Sequence, residues 1–403
     1  IPILTAIDPE IPHNDGCLRH ITCEAPEGSI VRAKYPAATA MATLCPAGQE
    51  QEVVWKALAL AAPERSSAGY GGFHCIPSIS GVDKRGEVEQ EWAAMFFNGG
   101  SGGGASKKAD GWPLIMTSSG MGGLKIISTE MSELLYPIMM DHHEIETDSM
   151  GHGETMGGTG IRIEVRPYDT PMECHATGDG ADNPPFGLFG GTPGIGGGNY
   201  RENLATGTRD YCSSKGYMLI EPGEMWVGVS SGGGGFGDPM ERAPEDINED
   251  LEDYSVTAES ALKHYGAIIN GDGRVDPVAT AEHRAAVRAA RVKKHNAKAD
   301  IRPGEVVFEA GTCLNVLRDD RGQYWACTSC STDLGETSAN YKDACIREDH
   351  PVSDSNALIG APDRFIDDEV AFRQFFCPGC GRLVDNEVAV STDPVLADIC
   401  FPA

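Results

Sequence analysis

No run of 18 or more apolar residues occurs in the 403-residue sequence, so no segment is long enough to cross a membrane as an apolar helix. Basic residues are scarce: 32 Lys and Arg stand against 60 Asp and Glu, a net charge of −28. Such a surface repels the phosphates of nucleic acid and of anionic membrane, and both are set aside as partners. No Gly-Lys-Ser/Thr follows any glycine run, so the phosphate-cradling loop of many nucleotide-binding proteins is missing. The opening residues, IPILTAIDPEIPHNDG, lack the basic stretch and apolar core of a secretion signal. They also lack an initiator Met, so the chain reads as processed, split or incomplete at that end. Thirteen cysteines without a secretion signal point to reduced thiols and a cytoplasmic location.

What is abundant is glycine. Fifty glycines gather in GGSGGG from Gly99, GGTPGIGGG from Gly190 and GGGGFG from Gly232, with no collagen-like period. Between them lie short apolar runs such as GSIVRA, GIRIEVRP, YMLIEPG and MWVGVSS, several alternating at period two, which predicts strands. One early helix is expected over Glu50–Ala62. After Asp238 the texture becomes helical. Pro244 opens one helix with acids in its first turn; Ser255 or Thr257 caps a second that Gly266 stops; a third runs over Pro277–Lys298. Beyond a linker at 299–303, GEVVFEAG, CLNVLRD, YWAC, AFRQFFC and EVAVS are strand-like again, around a polar insertion between Asp333 and Asp363. The expected class is α+β. A strand- and loop-rich body spans residues 1–240, a helical segment 241–298, and a zinc-ribbon-like β module 299–403.

Within that last part stand Cys327-Thr-Ser-Cys330 and Cys377-Pro-Gly-Cys380. Each pair puts two thiols on one tight turn, and two such turns brought together give the tetrahedral four-sulfur site that zinc prefers. A closed four-thiolate site leaves no open position for substrate, so its expected role is structural or docking. Cys345 and His350, in the long spacer, are possible substitute ligands, while Cys313 and Cys400 read as plain buried thiols. A redox pair is the competing reading of either CxxC.

The densest ionisable stretch is Asp141-His142-His143-Glu144-Ile145-Glu146-Thr147-Asp148, followed by Gly151-His152-Gly153-Glu154. Asp141, His142 and His143 are candidates for metal binding or proton transfer. On a strand Asp141 and His143 face one way and His142, Glu144 and Glu146 the other, so a solvated polar edge strand is the competing reading. His13 and His20 flank a turn, and the adjacent His74 and Cys75 would point apart. Among the glycine runs, Gly232, Gly233, Gly234, Gly235 and Asp238, with Phe186, Gly190 and Gly191, are candidates for a loop that approaches a ligand, with exposed amides facing an anion, and purely structural turns are the competing reading.

The order of these motifs resembles the hydantoinase B family, which includes N-methylhydantoinase B, the second half of 5-oxoprolinase, and subunits of acetone and acetophenone carboxylases. The matching residues are Ile11-Pro-His-Asn14-Asp-Gly16, Arg19-His-Ile-Thr22, Ala25-Pro-Glu-Gly28, Tyr35-Pro-Ala-Ala38, Glu144–Ser149, Gly157-Gly-Thr-Gly160-Ile161, Pro184–Gly194, Ser230–Arg242 and Lys263–Arg291. They cover some 70% of the chain and only the later part of a typical member. The family's metal-binding His and Asp residues lie in the earlier part, so none is carried onto this sequence. The resemblance implies an ATP-dependent hetero-oligomer, with ATP and Mg or Mn held by a hydantoinase-A-like ATPase partner or by a chain carrying the early half. A zinc module beside such a body resembles the carboxylase group, which joins a ketone to bicarbonate through phosphorylated intermediates. Opening of a cyclic amide is the alternative within the family, and a non-catalytic zinc-containing scaffold the alternative outside it.

Overall fold

The computed structural model describes residues 8–399 apart from 13, 20, 40–44, 73, 97, 116–124, 177, 182, 213–214 and 365. His13, His20 and Cys400 therefore lie outside the described residues. The body holds two antiparallel sheets. One has the order β2-β1-β5-β8, built from β1 (Ser78–Asp83), β2 (Gln90–Met95), β5 (Met172–Ala176) and β8 (Gly216–Ile220). The other has the order β3-β4-β9-β6-β7, built from β3 (Ile138–Ile145), β4 (Ile161–Pro167), β6 (Gly198–Asn203), β7 (Thr208–Cys212) and β9 (Glu224–Val229). Period-two alternation turns Ile79, Ile161, Ile163, Met172, Cys174, Met218, Ile220 and Trp226 into one shared core. No helix among the described residues is long and apolar enough to cross a membrane.

The glycine runs are interior rather than surface loops. Residues 230–239 are buried throughout and thread between the segments near 69, 102–105, 151–158 and 186–192. Successive residues bond in different directions: Gly233 N–H to Gly158 O (2.9 Å), Gly234 N–H to Gly69 O (2.9 Å) and Gly235 N–H to Thr192 O (3.0 Å). Successive amides of the run thus reach three different neighbouring segments. Neighbouring backbones approach so closely that a side chain has no room. The expected anion cradle therefore does not form at these three positions, because their donors are already used on neighbouring carbonyls.

Five α-helices are described: α1 (Cys45–Ala59), α2 (Thr129–Leu135), α3 (Pro244–Glu252), α4 (Ala258–Tyr265) and α5 (Pro277–Lys294). Local chemistry sets their ends. Thr257 caps α4 by accepting the Ser260 N–H, and Gly266 ends it at φ +61°. Asp276 caps α5 with bonds from the Val278 and Ala279 amides. The last part of the chain holds two further antiparallel sheets. β10 (Glu305–Glu309), β11 (Leu314–Asp319), β12 (Gly322–Cys327) and β13 (Asp333–Glu336) lie in sequence order, and β14 (Ile346–Pro351), β15 (Val370–Phe376) and β16 (Leu383–Val390) do likewise.

Some expectations fail locally. GSIVRA is a turn: Gly28 sits at φ +88°, its N–H bonds to Arg32 O, and Ile30 is exposed. α2 was not anticipated, because its seven residues are too few to show a period; Ser128 caps it through the Met131 N–H. The polar insertion between Asp333 and Asp363 carries β13 and β14, whose residues are half exposed and lack an apolar run.

Candidate metal centre and interface cavity

Two matching turns carry the thiols. β12 runs into Cys327, whose carbonyl accepts the Ser331 N–H (2.9 Å), and β15 leads into Cys377, whose carbonyl accepts the Gly381 N–H (2.8 Å). Both closing residues are left-handed, Ser331 at φ +55° and Gly381 at φ +72°. Gly379 is required for the approach: a Cβ there would lie 2.1 Å from Thr332 Oγ1. The four sulfurs of Cys327, Cys330, Cys377 and Cys380 lie within 4.8 Å of one another, and no other metal-capable group occurs among the described residues.

The donor set fits a thiophilic dication. Cys327 Sγ is 3.8 Å from Cys380 Sγ, and Cys330 Sγ is 3.5 Å from Cys377 Sγ. Zinc–sulfur bonds of about 2.3 Å in a tetrahedron give sulfur–sulfur edges of about 3.8 Å. A disulfide would need about 2.05 Å. Hydrogen bonds from Cys377 and Cys380 pull the Cys327 thiol well below its ordinary value, while the same bonds push those two up. Thr332 Oγ1 sits 3.0 Å from Cys330 Sγ. Cys327 and Cys377 belong to a core with Leu314, Val316, Trp325, Tyr341 and Val384, so the clasp and the module's packing form one unit. Cys345 bonds instead to Tyr341 O, and His350 lies 3.7 Å from Asp354, so neither joins the sulfur group.

Specific bonds join the clasped module to the body. Asn386 Nδ2 donates to Gly190 O (2.8 Å) and Gly191 O (3.0 Å), and Asn356 Nδ2 to Asp148 O and Met150 O. Asp238 caps a turn through the Met240 N–H, pairs with Arg288 at 2.9 Å and accepts the Leu383 N–H. The Arg291 guanidinium stacks 3.6 Å over the Phe376 ring and donates to Gly381 O. Asp238, Gly190 and Gly191 thus hold the junction.

Beside that junction lies a cavity of about 1120 Å³, walled by both parts. The body supplies Phe186, Leu188 and Ile195, and the module supplies Ile359, Val384 and Val388. Several charged groups that line it are paired: Arg162 with Glu146 at 2.6 and 2.8 Å, and Lys342 with Asp385 at 2.9 Å and Asp398 at 3.3 Å. Burial works against the Lys342 charge, but Asp385, Asp398 and Glu387 outweigh it and hold the ammonium above its ordinary value. Burial, then Asp385, pushes Asp398 up to about 6.

The histidine-rich strand is spread rather than gathered. A register shift between Met140 and His142 bends β3. Asp141 pairs with Arg166 at 2.8 Å, His142 lies 3.2 Å from Glu144 and 3.5 Å from Glu164, and His143 Nε2 lies 2.9 Å from Asn98 O. His74 Nδ1 meets Ser101 Oγ at 2.9 Å, and Cys75 is buried in the core. His152, by contrast, is fully buried, stacked on His264 with ring centroids 3.9 Å apart and 3.0 Å from the Tyr265 hydroxyl. No sequence pattern signals the cavity, because its apolar walls, Phe186 to Ile195 and Ile359 to Val388, come from segments more than a hundred residues apart.

Residues 2–239 match the Hydantoinase B/oxoprolinase family model, and residues 303–401 match that of the acetone carboxylase gamma subunit. The caprolactamase subunit beta of Pseudomonas jessenii is 32% identical over 281 residues, covering 68% of this chain and 48% of that one. The acetophenone carboxylase beta subunit of Aromatoleum aromaticum is 32% identical over 84 residues, covering 20% of this chain and 65% of that one. The crystal structure of the ATP-dependent caprolactamase from Pseudomonas jessenii superposes with a TM-score of 0.61 at 27% identity, covering 70% of this chain and 50% of that one. The chain spans about half the length of the caprolactamase subunit it matches.

Proposed function

The chain belongs to the hydantoinase B/oxoprolinase family, and from that premise we propose that it is one subunit of a cytoplasmic, ATP-dependent, hetero-oligomeric ketone carboxylase. The observation that carries this reading is the acetone-carboxylase-gamma-like module joined to the hydantoinase-B-type body in one chain. In this reading a hydantoinase-A-like partner holds ATP with Mg or Mn and phosphorylates the ketone's enol and bicarbonate. The early half of the family body completes the assembly. This chain's task is to shelter the activated species, since carboxyphosphate and enol phosphates are lost to water. Zinc held by Cys327, Cys330, Cys377 and Cys380 supplies folding energy to the module; four thiolates leave it no open position for substrate.

A second reading is ATP-driven opening of a cyclic amide, favoured by the likeness of the body to a caprolactamase subunit. Product analysis separates the two. The assembled complex, given ATP, ¹³C-bicarbonate and acetophenone, is expected to yield a labelled carboxylate. Ring-opened amino acid from caprolactam, with no label gained from the ketone, would replace the first reading by the second.

A further inference from the structure

The cavity at the junction is too large to be a packing defect. Protein interiors are packed to a density of about 0.74, with few voids larger than a water molecule. A space of about 1120 Å³ lies instead at the upper end of ligand pockets, which run from about 300 to 1,000 Å³. Its walls are apolar from both sides, with Phe186, Leu188 and Ile195 facing it from the body and Ile359, Val384 and Val388 from the module. Ile359 packs onto the same core cluster of the body as Tyr200, so the module forms one wall of the space.

Charge then restricts what can enter. Arg162 is held by Glu146 through two bonds, Arg209 by Glu202 at 2.6 Å, and Lys342 by Asp385, Asp398 and Glu387 at 2.9, 3.3 and 3.5 Å. An entering anion would have to displace a carboxylate already in place, leaving that carboxylate unpaired in a partly desolvated setting. Lys56 and Arg364 lie over the Phe186 and Tyr211 rings at 4.8 and 4.9 Å, where cation–π contact positions them. We propose that this cavity is a binding site for an uncharged, mainly apolar organic molecule, held between the body and the thiol-clasped module. Neither part forms the site alone. The inference stands apart from the proposed reaction, since it concerns what the junction binds and not what the assembled enzyme makes.

The test uses the intact chain and two dyes, neutral Nile red and anionic anilinonaphthalene sulfonate. Nile red is expected to bind saturably, one per chain, with blue-shifted emission, and the anionic dye at least about tenfold more weakly. Val388→Trp and Ile359→Trp fill the space from the module side and should weaken Nile red by about tenfold or more, whereas Val278→Trp on exposed α5 should not. Amide exchange with Nile red bound should slow at 184–197 and 383–390. This footprint decides the matter even if a filling variant unfolds. Absence of saturable binding, equal affinity for the anionic dye, unchanged affinity in both folded filling variants, or protection confined to other segments would each overturn the proposal.

Discussion

Gly233→Ala tests the close-packed glycine interior at its centre. A Cβ added there would lie 1.9 Å from the Gly103 carbonyl oxygen and 2.4 Å from its carbon. Ordinary contact begins at 3.4 Å, so one backbone must retreat by 1.5 Å (3.4 − 1.9). Gly233 cannot retreat freely, because its N–H bonds to Gly158 O at 2.9 Å and its carbonyl accepts the Gly151 N–H at 2.7 Å. A shift of that size breaks both bonds. Each costs about 1 kcal/mol net, rising to about 3 when a buried partner is left unsatisfied. Reduced freedom of the unfolded chain returns about 0.4–1 kcal/mol. The expected loss of stability is therefore roughly 1–5 kcal/mol. Gly271→Ala, with nothing within 4 Å of the new Cβ, is the control and should stay within about 0.5 kcal/mol of the parent. Urea unfolding followed by circular dichroism reads both. A Gly233→Ala protein as stable as the Gly271→Ala control would refute the claim that these glycines exist for backbone-to-backbone packing.

Metal analysis of the purified protein should give about one zinc per chain, and Cys327→Ser or Cys380→Ser should release it with loss of the module's near-ultraviolet signal; full retention in both variants would contradict a four-thiolate site. Burial holds His152 down to about 3 and His74 to about 4, against about 6.5 in the unfolded chain. A folded value below the unfolded one sends protons to the unfolded state, so stability is full above about pH 6.5 and falls as acid is added toward those values. Glu52, raised by burial to about 7, acts in the opposite sense, so the comparison must be made by difference. His152→Gln should flatten the fall between pH 7 and 5 by roughly 2 kcal/mol, and an unchanged slope would refute the assignment. The isolated chain should not hydrolyse ATP; robust ATPase activity without a partner would contradict the division of labour proposed for it.

Legibility followed the range of the interactions. The thiol clasp could be read because each pair is local and its chemistry is tied to spacing: Cys327 and Cys330 share one turn, Cys377 and Cys380 another, and strands flank both. Helix ends at Thr257, Gly266 and Asp276 are equally local, set by one side chain or one backbone angle. The glycine runs were visible, but not what they pack against. Composition cannot distinguish a flexible loop from backbones packed on one another, because the deciding contacts join Gly233 to Gly103 and Gly234 to Phe186 across long separations. His152 follows a charged stretch in the sequence, yet its neighbours are His264 and Tyr265 on α4, which no period in the sequence announces. The cavity was invisible for the same reason, since Phe186 and Val388 line one space only once body and module are joined.

The central claim is that this polypeptide acts only as one wall of an ATP-consuming assembly. It is tested most directly by reconstituting the chain with a hydantoinase-A-like subunit and the early half of the family body, then omitting each in turn. Carbon gain from labelled bicarbonate is expected only when every component and ATP are present. Turnover of ketone or lactam by this chain alone, without triphosphate, would contradict the account.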